Sequence, residues 1–248
     1  MTQPYNICLA LPIKTGDSGK IETLILKILK ENPNFIELRF DFINNVSKIT
    51  KSFLKRIRGL TKIPLIFTLR NKLEGGHIKL SSAIRLSTLT KLINANPDYI
   101  DIEINSPIEL LREVIHLGLN KNIKFILSYH NFQTTESLKE AQQIIDTCKS
   151  KLSSIIELSN IAQNSIIFKL IFTANKFEDN LIPLKLCRNN NKQGNKIISF
   201  CMGEKGIFSR IMCVRAGSIF TYAAFHEQTA PGQINIKKMK LIYSLIDS

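Results

Sequence analysis

Eight short runs of apolar and β-branched residues recur along the chain, and their alternation with amphipathic segments limits the possible folds more than any other feature. Runs of this length and composition are typical of buried strands. The predicted strands are Ile7 to Leu11, Phe35 to Phe40, Leu65 to Leu69, Tyr99 to Ile104, Lys124 to Ser128, Ile166 to Phe172, Lys196 to Cys201 and Ser218 to Tyr222. The segments between them have apolar residues at helical spacing, for example Ile21, Leu24, Ile25, Ile28 and Leu29.

A helix between each pair of strands requires parallel strands joined by right-handed crossovers. Eight such units in 248 residues predict a (β/α)8 TIM barrel. A doubly wound open sheet is the alternative, but the segment Pro12 to Gly19 lacks the GxGxxG fingerprint usual after its first strand. No linker, repeat or low-complexity tract divides the chain, so we expect a single domain over residues 1–248. Between strands five and six, we predict an extra helix from Leu152 to Ile161 after the helix Glu136 to Cys148.

The composition narrows the class of protein. The longest apolar runs fall short of the roughly 18 to 20 residues that span a bilayer, and the first residues lack a basic segment followed by a hydrophobic one. We therefore expect a soluble, cytoplasmic protein. Five cysteines without a CxxC pair and four scattered histidines predict neither disulfides nor a metal site.

The net charge is +14, which can attract nucleic acid or an anionic small molecule. Most lysines, however, fall on the polar faces of predicted helices or in loops, and no dense basic tract or basic-aromatic segment is present. This distribution favours a generally basic surface, and we expect no nucleic-acid or membrane partner.

Lys169 is the strongest indication of chemistry, because it stands alone in the most apolar stretch of the chain, Ser165 to Thr173. A lysine desolvated in a buried strand loses part of its preference for the ammonium form, and its amine can then attack carbonyl groups. The alternative is a strand-end lysine that reaches solvent or pairs with a carboxylate.

Polar residues inside or just after the other strands indicate where the site lies, because chemistry in a parallel barrel collects at the carboxyl ends of the strands. On strand two, the i, i+2, i+4 spacing predicts one inward face for three charged residues. His130 ends strand five, next to the strand that carries Lys169. The residues concerned on strands two to five are Glu37, Arg39, Asp41, Arg70, Glu74, Asp101, Glu103 and His130.

Two further segments suit an anionic ligand. Strand seven runs into a glycine-containing turn at a helix start that delivers Ser209 and Arg210, which is typical of a carboxylate or phosphate site. The polar loop His226 to Ile234 follows strand eight, and we expect it to act as a lid carrying Thr229 and Gln233. A structural ion network and a plain surface loop are the corresponding alternatives. An amine, an imidazole, carboxylates and arginines together suit a polyhydroxylated carboxylate that also has a ketone.

These motifs resemble type I 3-dehydroquinate dehydratase, over nearly the whole chain. Each motif is weak alone, but seven in the right order are specific. The resemblance rests on Glu37 to Asp41, Phe67 to Gly76, Asp101 to Glu103, Ser128 to Phe132, Lys169, Met202 to Arg210 and Thr229 to Ile234.

The resemblance implies dehydration of 3-dehydroquinate to 3-dehydroshikimate in the shikimate pathway, without a cofactor and in a homodimer. Lys169 would form the Schiff base, His130 would be the general acid and base, and Glu74 would orient His130. Arg210 would hold the substrate carboxylate. The implied contacts to the rest of the substrate are Glu37, Arg39, Arg70, Thr229 and Gln233.

Three positions depart from the family pattern. Asn131 stands where an acid is common, Thr229 where a serine is common, and Phe42 where a histidine is frequent. Two other functions stay open at this point: a class I aldolase, which also uses a barrel lysine, and a non-catalytic nucleic-acid binder that exploits the positive charge.

Overall fold

The computed structural model describes residues 5–156 and 165–247, in which strands and helices alternate. The strands are β1 (Ile7–Pro12), β2 (Phe35–Arg39), β3 (Leu65–Thr68), β4 (Tyr99–Glu103), β5 (Lys124–His130), β6 (Ile166–Thr173), β7 (Ile197–Met202), β8 (Thr221–Ala224) and β9 (Ile234–Asn235). The helices are α1 (Ser18–Leu29), α2 (Lys51–Arg58), α3 (Ser82–Asn94), α4 (Ile108–Leu119), α5 (Leu138–Ser153), α6 (Leu181–Lys192), α7 (Ile207–Met212) and α8 (Ile236–Ile246).

All the strands belong to one sheet and pair in parallel, in the order β7-β6-β5-β4-β3-β2-β1-β8-β9. The sheet closes between β7 and β8. Just before β8, the Ile219 N–H donates a hydrogen bond of 2.9 Å to the carbonyl of Ile197, at the start of β7. The eight long strands therefore surround a common interior, and the predicted (β/α)8 barrel in a single domain is confirmed.

All eight long strands differ from their predicted bounds by at least one residue, and the differences at β2, β5 and β8 bear most on the site. β2 ends at Arg39 because Phe40–Phe42 form a 3₁₀ turn. β5 continues to His130. β8 begins only at Thr221, because Gly217 has a φ of +109° and the Ser218 N–H turns back to the Cys213 carbonyl.

The predicted extra helix from Leu152 to Ile161 lies partly outside the described residues. Leu152 and Ser153 complete α5 instead of beginning a new helix, and Ile155 and Ile156 turn back toward the Leu152 carbonyl. The remainder of the predicted helix, residues 157–161, falls in the part of the chain that is not described.

The helices pack one apolar face against the sheet, and α1 illustrates why. Asp17 caps its N-terminus by accepting hydrogen bonds from Gly19 and Lys20, and Ile21, Ile25 and Ile28 are fully buried at helical spacing. Each such side chain contributes about 1.5–3 kcal/mol of burial free energy. Among the described helices, none has both the length and the apolar character needed to cross a membrane.

The approach of α7 to β7 depends on Gly206, which ends the turn between them. A Cβ atom at this position would lie 2.6 Å from the Cys201 carbonyl oxygen, which is backbone and cannot rotate away. We expect Gly206→Ala to lower the free energy of unfolding by about 1–3 kcal/mol through overpacking. Urea unfolding measures this change in the free energy of unfolding.

Gly19→Ala is the matched control, because a Cβ atom there would meet only the Asp17 side chain, at 3.4 Å. This control should match the wild type or be more stable, since alanine favours the helix. An equal free energy of unfolding for Gly206→Ala and the wild type would contradict the expected clash.

Candidate active site

The carboxyl ends of the strands surround a cavity that opens to solvent. All nine side chains predicted from the sequence to be catalytic or substrate-binding line it. The lining residues are Glu37, Arg39, Arg70, Glu74, Gly75, His130, Phe132, Lys169, Ile171, Phe200, Met202, Arg210, Tyr222, Thr229, Ala230 and Gln233.

Lys169 lies on β6, opposite Ser128 of β5 and Ile198 of β7. Its Nζ donates to Asp101 Oδ2 at 2.9 Å and to the Tyr222 hydroxyl oxygen at 3.2 Å, and lies 3.8 Å from Glu37 Oε1. The expected apolar surroundings of the amine were therefore wrong.

Strand alternation explains the difference. Successive side chains of a strand point to opposite faces, so residues adjacent to Lys169 in sequence are not its neighbours in space. The ring of Phe168 lies on the helix side, where Lys149 of α5 approaches it at 5.8 Å. Alternate residues of the apolar run, such as Phe168, thus face the outside of the barrel, while Lys169 and Ile171 face an interior that also holds charged side chains.

Asp101 connects Lys169 to Arg70. Its Oδ1 accepts from Arg70 Nη2 at 2.7 Å, while its Oδ2 accepts from the lysine. Burial favours the neutral acid, but Arg70 and Lys169 together outweigh it and lower the pKa of Asp101 below its ordinary value. Asp101 is therefore an ionised carboxylate shared between two cations.

Glu103 extends this network toward α3. It accepts from Arg70 Nη1 at 2.9 Å and from the backbone N–H of Asn71, and its other oxygen pairs with Arg85. Arg85 also donates to the Leu69 carbonyl. Arg70 is thus held on both sides by carboxylates, which fixes its guanidinium at the cavity wall.

Arg39 makes a two-pronged ion pair with Asp41, through Nε at 2.8 Å and Nη2 at 2.9 Å. The predicted inward projection of Asp41 from strand two was wrong, because the strand has already ended and Asp41 lies in the 3₁₀ turn. Asp41 also accepts from the backbone N–H groups of Arg70 and His77. It positions Arg39 and the loop after β3 without lining the cavity.

His130 and Glu74 form a second pair. Glu74 Oε2 lies 3.2 Å from His130 Nδ1 and accepts from the backbone N–H of His130 at 3.1 Å. Burial lowers the pKa of His130 well below 6.5, and the nearby Arg70 and Lys169 lower it further. Burial raises the pKa of Glu74 to about 7, although Arg70 acts in the opposite direction. The imidazole is therefore neutral near pH 7 and able to accept a proton.

Glu74 reaches this position through the turn that follows it. Gly75 has a φ of +81°, which side chains rarely adopt, and a Cβ atom there would lie 2.2 Å from the Phe132 ring. The absence of a side chain at Gly75 therefore lets the loop after β3 approach the loop after β5, so that Glu74 meets His130.

Arg210 on α7 differs from the other arginines of the cavity. It is only 1% exposed, and its Nη2 donates to the Pro231 carbonyl at 3.1 Å, while its guanidinium lies 4.5 Å from the Phe200 ring centroid. Its Nε is buried without a hydrogen-bond partner among the described residues, and none of their carboxylates pairs with it. Burial lowers its pKa to about 10, so it remains a cation at neutral pH.

The loop after β8 contributes Thr229, Ala230 and Gln233 to the cavity wall, and its action as a lid stays a prediction. The Thr229 N–H donates to Gln233 Oε1 at 2.7 Å, and Gln233 Nε2 donates to Thr229 Oγ1 at 3.1 Å. Gly232 packs on Gly203, where a Cβ atom would lie 2.4 Å from the Gly203 carbonyl oxygen. These contacts hold both polar side chains of the loop at the cavity wall.

Sequence reasoning missed two side chains that contact the amine. Asp101 was noticed in the alternation of strand four but was given no role in the site. Tyr222 was assigned only to a predicted strand end, because nothing in its local sequence marks it as polar lining. The pairing of β8 with β1, which sets Tyr222 opposite Cys8, brings it to the interior.

The departures from the family pattern have local partners. Asn131 donates to Glu136 at 2.8 Å and accepts from the backbone N–H groups of Gln133 and Thr134, so it shapes the loop after β5. Phe42 stacks on His77 with ring centroids 5.0 Å apart. Neither residue lines the cavity.

The protein is therefore a (β/α)8 barrel whose polar cavity, at the carboxyl ends of the strands, contains a buried lysine. The sequence model of the family described as type I 3-dehydroquinase matches residues 7–248, so the chain belongs to that family. As a member, it is an enzyme of the hydro-lyase class.

Individual relatives agree with this assignment. The chain is 34% identical over 215 residues to a 3-dehydroquinate dehydratase of Methanococcus maripaludis, covering 86% of this chain and 88% of that protein. The type I enzyme of Clostridium difficile, solved with covalently modified comenic acid, is 26% identical, with a TM-score of 0.80 over 98% of this chain and 92% of that one. The Geobacillus kaustophilus enzyme, at 22% identity, supports the fold alone, with a TM-score of 0.83 over 98% and 91% of the two chains.

Asp101 is the residue whose removal should most disturb this site. Asp101→Asn leaves Arg70 and Lys169 without their shared anion, and breaking a buried ion pair of this kind costs about 3–5 kcal/mol. We expect the free energy of unfolding, measured in urea, to fall by that amount.

Asp146→Asn is the control, because Asp146 is exposed on α5 and only accepts from Gln142. It should change the free energy of unfolding by less than about 0.5 kcal/mol. An equally small change in Asp101→Asn would mean that the two cations do not depend on this carboxylate.

Proposed function

We propose that the protein dehydrates 3-dehydroquinate to 3-dehydroshikimate, in the shikimate pathway, through a Schiff base at Lys169 within the single barrel domain. The observation that carries the proposal is that three side chains line one cavity: the amine of Lys169, the neutral imidazole of His130, and Arg210, which pairs with no carboxylate of the described residues. Family membership supports the substrate, and the cavity chemistry supports the mechanism.

The charges of the cavity orient the substrate. Arg39 and Arg70 already pair with carboxylates of the protein, whereas Arg210 has none among the described residues. A substrate carboxylate is therefore most strongly stabilised at Arg210, where it would also accept from the buried Nε. The hydroxyl groups on the substrate ring would then form hydrogen bonds with Glu37, Arg39, Arg70, Thr229 and Gln233.

With the carboxylate held there, the ketone is directed toward Lys169. Lys169 first releases a proton to solvent, and the neutral amine then attacks the carbonyl carbon. The resulting carbinolamine takes a proton back as it loses water, which gives the protonated imine. This cation withdraws electrons from the adjacent carbon, so that a proton at C2 becomes acidic enough for a neutral imidazole to remove. No step needs a metal ion or cofactor, because the imine itself is the electron sink.

His130 acts as the base and then as the acid of the elimination. Its neutral ring takes the C2 proton and then returns a proton to the departing C1 hydroxyl, which leaves as water. Glu74 contacts Nδ1 and thereby leaves Nε2 as the nitrogen that faces the substrate. Hydrolysis of the product imine releases 3-dehydroshikimate and restores the amine.

The Clostridium difficile relative supports a covalent route, since its structure was solved with covalently modified comenic acid. A covalent route at Lys169 is in keeping with such a ligand. A homodimer and a cytoplasmic location, both implied by the family resemblance, remain predictions.

Lys169→Ala should lose essentially all turnover, because no other side chain can form the imine at that position. Borohydride added with 3-dehydroquinate should increase the mass of the wild-type protein by one reduced substrate adduct, on Lys169, and leave the variant unmodified. Intact-mass and peptide mass spectrometry measure both results.

Lys149→Ala is the matched control, because Lys149 lies outside the barrel against the same strand. It should keep wild-type turnover and labelling. Normal turnover in Lys169→Ala, or an adduct on another lysine, would contradict the proposed mechanism.

The pH dependence should report Glu74. With a pKa of about 7, Glu74 gains a proton as the pH falls through neutrality, and His130 loses its anionic partner. We expect the wild-type kcat/KM to fall below about pH 7 and to fall again well below pH 6.5, where His130 itself becomes protonated.

Glu74→Gln should be slower than wild type above about pH 7, where Glu74 is ionised, and it should lose the first of these two declines while it keeps the second. Glu178→Gln, at an exposed site, should retain both. If the decline near neutrality persists in Glu74→Gln, another group produces it.

A further inference from the structure

Three side chains surround the amine of Lys169, and they differ in kind. Asp101 and Glu37 are carboxylates, whereas Tyr222 presents a phenol, whose oxygen lies 3.2 Å from Nζ and accepts a hydrogen bond from it. In the proposed reaction, Glu37 contacts the substrate and His130 transfers protons, and Asp101 holds the amine in place, but this hydroxyl has no role.

The position of Tyr222 is closely fixed. It lies on β8 and is 4% exposed, and its ring packs against Phe220 at 5.4 Å and Phe200 at 6.2 Å between centroids. The amine also lies 4.5 Å from the centre of its ring. The phenol is therefore held beside Nζ at the wall of the cavity.

The hydroxyl is a proton donor that the other neighbours of the amine cannot replace. Burial raises the pKa of Tyr222 well above its ordinary value, and Glu37 raises it further, so the phenol keeps its proton. Its oxygen accepts from Lys169, which leaves its own proton available to an oxygen atom bound in the cavity. Asp101, held ionised between two cations, can only accept.

Imine formation requires such a donor. When an amine adds to a ketone, the nitrogen becomes positively charged and the carbonyl oxygen negatively charged, and a proton must pass from one to the other. Both atoms are bonded to the same carbon, so they lie side by side. A hydroxyl that touches Nζ is consequently within reach of the substrate oxygen as well.

We propose that Tyr222 is a further catalytic residue, whose hydroxyl relays a proton from Lys169 Nζ to the substrate carbonyl oxygen as the amine adds. The Nζ–C bond forms while the C=O π pair moves to oxygen. One proton leaves nitrogen for the phenol oxygen, and the phenol proton moves to the substrate oxygen, so the tyrosine is restored unchanged. The same relay runs in reverse when the carbinolamine collapses during product release.

This inference rests on the proposed Schiff-base function, and its test separates the two. Wild type, Tyr222→Phe and a control are mixed rapidly with 3-dehydroquinate, quenched with borohydride after increasing times and analysed by intact mass. The plateau rate constant at saturating substrate isolates imine formation from binding. Tyr222→Phe keeps the ring and its packing, so a purely structural role of the ring would leave this rate constant unchanged.

We expect Tyr222→Phe to form the adduct on Lys169 about 100-fold more slowly than wild type, the usual contribution of a positioned proton donor. The control Tyr99→Phe removes a hydroxyl at the start of β4, at the opposite end of the barrel, and should match wild type. A rate constant for Tyr222→Phe within about threefold of wild type would overturn the relay. Absence of any adduct in wild type would instead reject the proposed function.

A second measurement needs no variant. Because the relay moves two protons between heteroatoms in one step, adduct formation by the wild-type enzyme should slow in deuterium oxide. An equal rate constant in the two solvents would overturn the relay even if Tyr222→Phe did not fold.

Discussion

Asp101 binds two cations at once, and the arrangement of the cavity depends on it. One oxygen holds Arg70 at 2.7 Å and the other holds Lys169 at 2.9 Å, with all three side chains almost completely buried. Charges at such depth are tolerated only when they are paired and hydrogen-bonded. The carboxylate thus links β4 to the end of β3 and to β6, and it fixes the amine at the point where those strands meet.

The same pairing determines which cation is left for a ligand. Carboxylates of the protein occupy Arg39 and Arg70, so these two side chains mainly build the wall of the cavity. Within residues 5–156 and 165–247, the Arg210 guanidinium donates only to the Pro231 carbonyl, in the loop after β8. We therefore propose that an anionic substrate binds with its carboxylate at Arg210 and presents its opposite end to Lys169, His130 and Tyr222. In this proposal, the distribution of charge in the protein orients the substrate.

The barrel and most of the cavity could be predicted from the sequence, because strand periodicity and the collection of polar residues at strand ends are local patterns. The surroundings of Lys169 could not. Asp101 lies 68 positions away and Tyr222 lies 53 positions away, so their contact with the amine depends on strand register and barrel closure. The start of β8 was misjudged for a related reason, since the backbone at Gly217 delays the strand although its sequence is apolar.

We propose that charge pairing orients the substrate, with its carboxylate at Arg210 and its ketone carbon at Lys169. A crystal structure of the borohydride-reduced complex with 3-dehydroquinate tests it most directly. We expect continuous density from Nζ to the substrate ring, and a substrate carboxylate within hydrogen-bond distance of Arg210 Nε. A reduced substrate whose carboxylate instead lies against Arg39 or Arg70, away from Arg210, would contradict it.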